Sequence, residues 1–276
     1  MKIRVIVGVI VLLAAYAITI ALYASTGLGH PSQLIQSRPT ADGTIVTIDF
    51  NEVHSVKGEM VANITVAPGS KLLDPTTGGL TEDLGIAVHS AVTPTRRNWS
   101  KGMVPGVFPV ALTLSGDPGD YPFDRYESGP ITVDLFHGGS PIPERVAPAI
   151  FDLTAGWMFN IPIEDKSTGP EVYRVHVLRS PSTGAFATVI LGALITIASL
   201  GVVVAIQTAR KARKFQPPMM TWFAALVFAV VPLRNALPDA PPMGTWIDIT
   251  IVLWVIVALV ASMGIYIACW WRDTAQ

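Results

Sequence analysis

The stretch AFATVILGALITIASLGVVVAI, residues 185–206, contains no charged residue and runs directly into QTARKARKFQPP, residues 207–218. About 20 apolar helical residues span the roughly 30 Å hydrocarbon core of a bilayer, so the first stretch predicts a transmembrane helix. The second stretch contains Arg210, Lys211, Arg213 and Lys214. Clustered cations beside a span mark its cytoplasmic end, so this loop sets the topology or also binds anionic lipid heads.

Three further segments, residues 5–23, 219–233 and 249–271, are uncharged and apolar. If all four helices cross the membrane, Lys2, Arg4 and Arg272 fall on the same side as the basic loop. We therefore expect a multi-pass protein of the cytoplasmic membrane with both termini inside and residues 24–184 outside. A cleavable signal peptide is the alternative for the first segment, although its apolar run exceeds the usual 7–15 residues.

The region between the first two spans shows a different pattern, with short β-branched or alternating runs between Gly, Pro and Asp breaks. Seven runs predict strands: residues 44–54, 58–68, 84–92, 106–116, 130–137, 156–163 and 171–180. Pro109 within the fourth run indicates an edge strand or a bulge. The prediction is an inserted all-β domain, an antiparallel β-sandwich at residues 25–184, between an anchor at 1–24 and three helices at 185–276.

Several functions are disfavoured by what the chain contains. The single cysteine, Cys269, allows no internal disulfide, and the five histidines lack the spacing of a zinc site. Residues 24–184 hold 11 Lys/Arg against 17 Asp/Glu, which argues against nucleic-acid binding. No hydrolase elbow, phosphate loop or dinucleotide fingerprint occurs in the sequence. We therefore predict no cofactor, no metal and no catalytic residue.

The most distinctive segment is DPGDYPFDRYES, residues 117–128. It has three readings: a structured loop whose aromatic residues close one end of the sandwich, a partner-binding loop, or a divalent-cation loop. A second distinctive segment, PLRNALPDAPPMG, follows the third helix, and its arginine is expected to pair with an outer-domain carboxylate or to extend to the membrane interface. The candidate partner-binding residues are Asp120, Tyr121, Phe123, Asp124, Arg125, Tyr126, Arg234 and Asp239.

These two segments carry a family resemblance. The first matches a Y-P-F-D-x-Y pattern through Tyr121, Pro122, Phe123, Asp124 and Tyr126. The second matches P-L-R-x-x-x-P-x-x-P-P-x-G through Pro232, Leu233, Arg234, Pro238, Pro241, Pro242 and Gly244. Nearly the whole chain resembles an uncharacterised bacterial membrane family, abundant in actinobacteria and classed under a domain of unknown function. The layout is also similar to the lipid-uptake-coordinator type of accessory subunit of mycobacterial Mce lipid importers, which implies a role in lipid transport without catalysis.

Three functions follow as expectations. The first is a non-catalytic accessory subunit that binds other envelope membrane proteins. The second is an extracytoplasmic module that binds a lipid or another ligand, for which a large apolar cavity is expected. The third is an unfamiliar enzyme that uses Asp117, Asp120, Asp124 and His137, for which these side chains would have to converge on one pocket.

Overall fold

The computed structural model describes residues 2–25, 32–90, 95–162, 172–210 and 218–274. The chain divides into two compact units. A helical unit comprises Met1–Tyr23, Pro118–Phe123 and Pro181–Gln276, and a β unit comprises Ala24–Asp117 and Asp124–Ser180. The short segment Pro118–Phe123 thus belongs to the helical unit although the chain on both sides of it belongs to the β unit.

The helical unit is built from long apolar helices. Their bounds are α1 Lys2–Ser25, α2 Pro181–Ala209, α3 Pro218–Asn235 and α4 Leu253–Thr274, the last preceded by a π-helical turn at Asp248–Val252. Within the described residues three helices are long and apolar enough to cross a membrane: α2, α3 and the continuous helix Asp248–Arg272. Three of the four predicted spans are therefore confirmed as spanning candidates, and α1 as a fourth span stays a prediction.

The helices α2, α3 and α4 pack through small and branched apolar side chains. Leu194 and Ala198 of α2, Val230 of α3 and Leu259 of α4 share one buried cluster. A Cβ atom added at Gly201 of α2 would lie 3.0 Å from Leu259, so the glycine permits the close approach of α2 and α4. Helices in lipid associate through such close packing because their apolar surfaces gain nothing by leaving an equally apolar solvent.

The described residues of the β unit form twelve strands in two sheets. They are β1 Ser32–Ile35, β2 Ile45–His54, β3 Glu59–Ala67, β4 Leu84–His89, β5 Thr95–Trp99, β6 Phe108–Gly116, β7 Arg125–Ser128, β8 Thr132–His137, β9 Glu144–Val146, β10 Ala149–Asp152, β11 Trp157–Asn160 and β12 His176–Arg179. Eight strands form one sheet in the order β1-β10-β2-β3-β6-β7-β12-β11, and four form the other in the order β5-β4-β8-β9.

The hairpin of β2 and β3 shows how the sequence sets this architecture. Val46, Ile48 and Phe50 alternate with more exposed residues on β2, and their counterparts on β3 do the same. Period-two alternation turns one face of a strand toward a core. The connecting turn has Gly58 at φ +65°, a left-handed conformation that glycine adopts at little cost.

Both sheets contribute to one hydrophobic core, which contains Phe50 and Ile64 from the larger sheet and Ile86 and Leu135 from the smaller one. All seven predicted strands are present. The prediction of a purely antiparallel arrangement was wrong in one place, because β10 pairs with β2 in parallel. The long chain between these two strands supplies the crossover that parallel pairing requires.

Pro109 also differs from its prediction. Strand β6 lies inside the sheet between β3 and β7, and its register with β3 has no bulge. However, β7 pairs only with residues 114–116 of β6. At Pro109 the described strands therefore pair on one side only, and a residue without a backbone N–H is tolerated there.

Candidate functional site: the YPFDRY segment and the Arg234 loop

The segment that matches the Y-P-F-D-x-Y pattern divides its side chains between the two units. A short 3₁₀ turn at Pro118–Asp120 leads into a cis Tyr121–Pro122 bond, and β7 begins at Arg125. Tyr121, Asp124 and Tyr126 are buried, whereas Phe123 and Arg125 are exposed. Tyr121 and Phe123 belong to the helical unit, and the residues from Asp124 onward belong to the β unit.

In the β unit, Asp124 forms a buried ion pair with Arg179 of β12. The arginine Nε and Nη2 atoms lie 2.9 Å from Oδ1 and 3.0 Å from Oδ2 of the carboxylate. The Tyr126 hydroxyl donates a third hydrogen bond to Oδ2 at 2.9 Å. The side chains of Asp124 and Arg179 are 0% and 3% exposed, so each charge depends on the other for its stabilisation.

Aromatic rings complete this cluster. The Arg179 guanidinium lies 4.2 Å from the centre of the Trp157 ring, and Tyr126 meets the same ring edge-on at 5.8 Å. Burial raises the pKa of the Tyr126 phenol well above its usual value, and the hydrogen bond to the Asp124 carboxylate adds to the rise. The phenol therefore stays protonated as a hydrogen-bond donor to Asp124.

In the helical unit, Tyr121 is fully buried. It packs in a cluster with Ala187 and Ile190 of α2 and with Leu237 and Ile247. Its hydroxyl donates to the carbonyl oxygen of Pro238 at 3.1 Å. A buried tyrosine with a satisfied hydroxyl anchors its segment through both apolar contact and a directional bond.

Arg234 ends the last turn of α3, and the loop after it folds around its guanidinium. Nε and Nη2 donate to both oxygens of Asp248 at 2.9 and 2.7 Å. Nη1 and Nη2 also donate to the carbonyl oxygens of Pro241 and Pro242 at 2.9 and 3.0 Å. Asp248 in turn accepts the Gly244 backbone N–H at 2.9 Å. The arginine thus satisfies backbone carbonyls that proline-rich loops leave without helical partners.

The predicted pairing of Arg234 with an outer-domain carboxylate was wrong. Its carboxylate partner is Asp248 at the start of the π-helical turn, in the same unit, and its side chain is buried rather than extended toward solvent. The prediction failed because the partner lies beyond a loop whose path the sequence does not specify. The other candidate in this loop, Asp239, is exposed and has a positive φ of 50°.

The remaining candidates are distributed as follows. Asp120 is exposed beside the 3₁₀ turn, and Arg210 is exposed just after the end of α2. Lys211, Arg213 and Lys214 lie outside the described residues. Whether any of these residues binds a partner or lipid stays a prediction.

The residues expected for an enzyme have separate surroundings. Asp117 and Asp120 are exposed, and Asp124 is engaged by Arg179. His137 instead lies beside Glu82 and Glu144, with Nδ1 3.5 Å from one carboxylate and Nε2 3.3 Å from the other. Within the described ranges, no group of three or more His, Cys, Asp or Glu side chains has the geometry to hold a metal ion.

Asp42 also approaches His137, at 3.9 Å from Nδ1. Burial raises the pKa of the Asp42 carboxyl, but hydrogen bonds from Thr40 and Thr44 and attraction to His137 outweigh burial, so the pKa lies below its ordinary value. Sequence reasoning missed this group, because its members come from the loop before β2, the loop before β4, the end of β8 and the start of β9.

A second group that sequence reasoning missed lies on the smaller sheet. Asp134 of β8 is buried, and its two oxygens contact His89 of β4 at 2.9 Å and the Nε atom of Arg145 on β9 at 2.5 Å. Each residue alone is an ordinary strand position. The strand register places Arg145 of β9 directly opposite Asp134, and His89 of β4 diagonally across from it, two positions beyond its direct partner Ala87.

One shallow cavity of about 140 Å³ opens on the smaller sheet, where Asp83, Arg96, Asn98 and Phe136 contribute to its lining. The Arg96 guanidinium lies 4.4 Å from the centre of the Phe136 ring. Drug-sized ligand pockets usually enclose about 300–1,000 Å³. This cavity is therefore too small for an acyl chain.

Exposed apolar side chains instead occur on the segment between β5 and β6, residues 102–107, which we call the tip loop. Met103, Val104 and Val107 are exposed there. The backbone is fixed by hydrogen bonds from Met103 N to Ser100 O at 3.0 Å and from Leu80 N to Met103 O at 2.9 Å. These bonds fix the backbone at Met103. An apolar side chain that stays exposed forgoes about 1.5–3 kcal/mol of burial.

The helices and the β unit define a class of protein: a candidate membrane protein with a large β-rich unit and a proline-rich loop closed on a buried arginine. Residues 34–177, just over half of the chain, match the family described as "Domain of unknown function (DUF4436)", and the protein belongs to that family. Residues 179–273 match a second description, "Domain of unknown function (DUF8686)". A search of curated proteins found no match. The predicted membership of a family of unknown function is confirmed, whereas the bacterial origin and the likeness to lipid-uptake coordinators stay predictions.

Proposed function

We propose that this protein is a non-catalytic accessory subunit that binds and stabilises a larger complex of the cell envelope, such as a lipid importer of the Mce type. In this proposal four helices cross the cytoplasmic membrane, both termini face the cytoplasm, and residues 24–184 form a β-sandwich outside. The partners are other envelope membrane proteins, and the phospholipid bilayer surrounds the helices.

The tip loop is the observation that supports this proposal. Val104 is 68% exposed although Met103, the residue before it, is held by two backbone hydrogen bonds. The loop precedes Phe108, where β6 begins, and the chain leaves the β unit at Asp117, just after β6 ends. A nine-residue strand is about 30 Å long, so the apolar side chains lie at the end of β6 opposite to this exit. Among the described residues these side chains stay uncovered, as a docking surface for a partner protein requires.

Four of the partner-binding candidates named from the sequence stabilise the fold itself. Tyr121, Asp124, Tyr126 and Arg234 use their polar atoms in internal hydrogen bonds. Replacing any of them would destabilise the fold before it affected a partner. Phe123 is the large apolar candidate in the segment that stays exposed.

A lipid- or ligand-binding module is the alternative, and an unfamiliar enzyme is a third. The binding module requires a cavity several times larger than the 140 Å³ cavity described above. The enzyme requires Asp117, Asp120, Asp124 and His137 to act together, but Asp124 forms an ion pair with Arg179. The cavity described on the smaller sheet is too small for the binding module, and the engagement of Asp124 by Arg179 argues against the enzyme.

The test is a mild-detergent purification of the tagged full chain from its native membrane, with quantitative mass spectrometry. Val104→Asp places a charge in the tip loop, whereas Val56→Asp places one in the β2–β3 turn, whose Gly58 carbonyl accepts Leu114 N near the other end of β6. Val56 is similarly exposed, at 62%. We expect transporter subunits at near-stoichiometric yield with wild type and Val56→Asp, and at least a tenfold loss with Val104→Asp.

Two results would contradict the proposal. Recovery of the wild-type chain alone with co-purified lipid would favour the binding module. Equal recovery of envelope subunits with both variants would remove the tip loop as the docking surface.

A further inference from the structure

The segment Pro118–Phe123 lies among the ends of helices that are apolar enough to span a membrane. Its Tyr121 packs against Ala187 and Ile190 of α2. These residues lie six and nine positions after Pro181, about 9 and 14 Å along the helix axis. Since α2 has 29 residues and a bilayer core needs about 20, this depth falls near the boundary between headgroups and acyl chains.

Non-helical backbone reaches such a depth only when its polar groups are satisfied by protein. The segment meets this condition at two of its N–H groups, because Tyr121 N donates to Pro118 O at 3.4 Å and Phe123 N donates to Asp120 O at 2.9 Å. The neighbouring loop meets it too, since Arg234 donates to the carbonyl oxygens of Pro241 and Pro242. The irregular chain at this end of the helices is therefore compatible with the edge of the hydrocarbon core.

Large exposed apolar side chains lie around the same end, and we call them the apolar belt: Phe123, Phe186, Met243 and Trp246. Three of them lie close in the chain to the cluster around Tyr121. Phe123 is two positions after Tyr121, Phe186 precedes Ala187, and Trp246 precedes Ile247. Met243 follows Pro242, whose carbonyl oxygen accepts a hydrogen bond from Arg234. Phe123 is 73% exposed, on a segment whose preceding two residues are buried.

A second group of exposed aromatic residues, Trp270 and Trp271, lies at the opposite end of α4. From Trp246 to Trp270 the helix advances 24 residues, about 36 Å at 1.5 Å per residue. This separation matches a hydrocarbon core of about 30 Å with an aromatic side chain in each interface. The two groups are placed as the two aromatic belts of a membrane protein.

We propose that the apolar belt sits in the interface of the phospholipid bilayer, and that Phe123 inserts among the acyl chains as a lipid anchor. Its occupant is the bilayer itself, because the belt has the composition and spacing of an interfacial girdle. Tyr121 holds the segment on the helices, and Phe123 extends from it into lipid. This inference depends on the spanning helices and is independent of the accessory role.

The experiment uses the full chain in phospholipid nanodiscs with one nitroxide label per molecule. Cys269→Ala removes the native thiol, and Phe123→Cys introduces the label at an exposed side chain. Power saturation with oxygen, which concentrates in acyl chains, and with a water-soluble nickel chelate reports the depth of the label. Ile195→Cys, on the exposed face of α2 near the middle of this 29-residue helix, serves as the lipid reference. Ile142→Cys, on the exposed β8–β9 turn, serves as the water reference.

We expect the label at position 123 to favour oxygen, at a depth between that of the label at 195 and the water reference. A label at Trp246→Cys should read within about one helical turn, roughly 5 Å, of the same depth. Nickel accessibility at 123 equal to that at 142 would overturn the proposal. If Phe123→Cys does not purify as a monodisperse species, Met243→Cys decides between the same two outcomes.

Discussion

The buried pair of Asp124 and Arg179 gives the sharpest prediction. Asp124→Asn keeps the size of the side chain but removes the charge that faces the guanidinium. The Arg179 side chain is 3% exposed and lies on the Trp157 ring, so it cannot recover its hydration without opening the cluster. Removing one partner of a buried ion pair costs about 3–5 kcal/mol. We expect a loss of this size in the free energy of unfolding.

The assay is thermal unfolding of the purified full chain, followed by circular dichroism in the β-sheet region. In a domain of 150–250 residues each kcal/mol shifts Tm by about 2–4 °C, so Asp124→Asn should lower Tm by roughly 6–20 °C. The matched control is Glu127→Gln on the same strand. Glu127 pairs with Arg174 at 3.6 Å, but both side chains are about half exposed. Exposed pairs contribute only about 0–1 kcal/mol.

A double replacement separates the pair from the positions it occupies. Asp124→Leu with Arg179→Met removes both charges, and apolar replacements of a buried pair are often neutral or stabilising. We expect the double variant to recover most of the stability that Asp124→Asn loses. The reasoning would be refuted if Asp124→Asn and Glu127→Gln shifted Tm equally, or if the double variant were no more stable than the single one.

Three further predictions concern other polar groups. Arg234→Lys keeps the charge but loses the planar guanidinium that binds Asp248 and two carbonyl oxygens, so we expect Tm to fall by several degrees. The exposed control Arg210→Lys should leave Tm unchanged, and equal shifts in the two variants would contradict this prediction. Tyr121→Phe removes one hydrogen bond and should lower the free energy of unfolding by about 1 kcal/mol, whereas Tyr121→Ala also leaves a cavity and should lower it by about 3–5 kcal/mol. Unfolding measured in detergent would show the difference, and equal losses for the two variants would contradict the burial of the ring. The folded-state pKa of Asp42 is lowered, so the ionised carboxylate stabilises the fold fully above the ordinary pKa of 3.8, and this stabilisation is lost as the pH falls through the lower folded-state pKa. The difference in Tm between wild type and Asp42→Asn should therefore be present at pH 7 and shrink below pH 3.8. A difference that does not change with pH would contradict this prediction.

The elements that the sequence predicted correctly are those with a long local pattern. The uncharged run at 185–206 is helical in full, and α2 extends it back to Pro181, where proline suits the first helical turn. The alternation in β2 and β3 likewise identified a hairpin. The strands β1, β5, β7, β9 and β10 have three to five residues each and were missed because so short a strand shows no period by itself. The strands β11 and β12 are as short, but they lie within longer predicted runs.

The candidate site was predicted in its position but not in its contacts. The pattern of residues 121–126 indicated a constrained aromatic segment, and one of its three readings, a structured loop, agrees with the buried Tyr121 and Tyr126. The expectation that its aromatic residues close one end of the sandwich was wrong for Tyr121, which packs among the helices. No local pattern indicated that these two tyrosines enter different units. Nor did any pattern indicate that Asp124 meets Arg179, 55 positions along the chain.

The sequence by itself determined which segments are apolar enough to leave water and which alternate as strands, because both properties depend on residues close together in the chain. Only the tertiary structure decided which charges neutralise one another. An ion pair such as Arg234 with Asp248 depends on the path of the intervening loop, and a one-residue shift in strand register would separate Asp134 from His89. The same holds for the tip loop and the apolar belt, whose side chains are exposed because nothing else in the described chain packs over them.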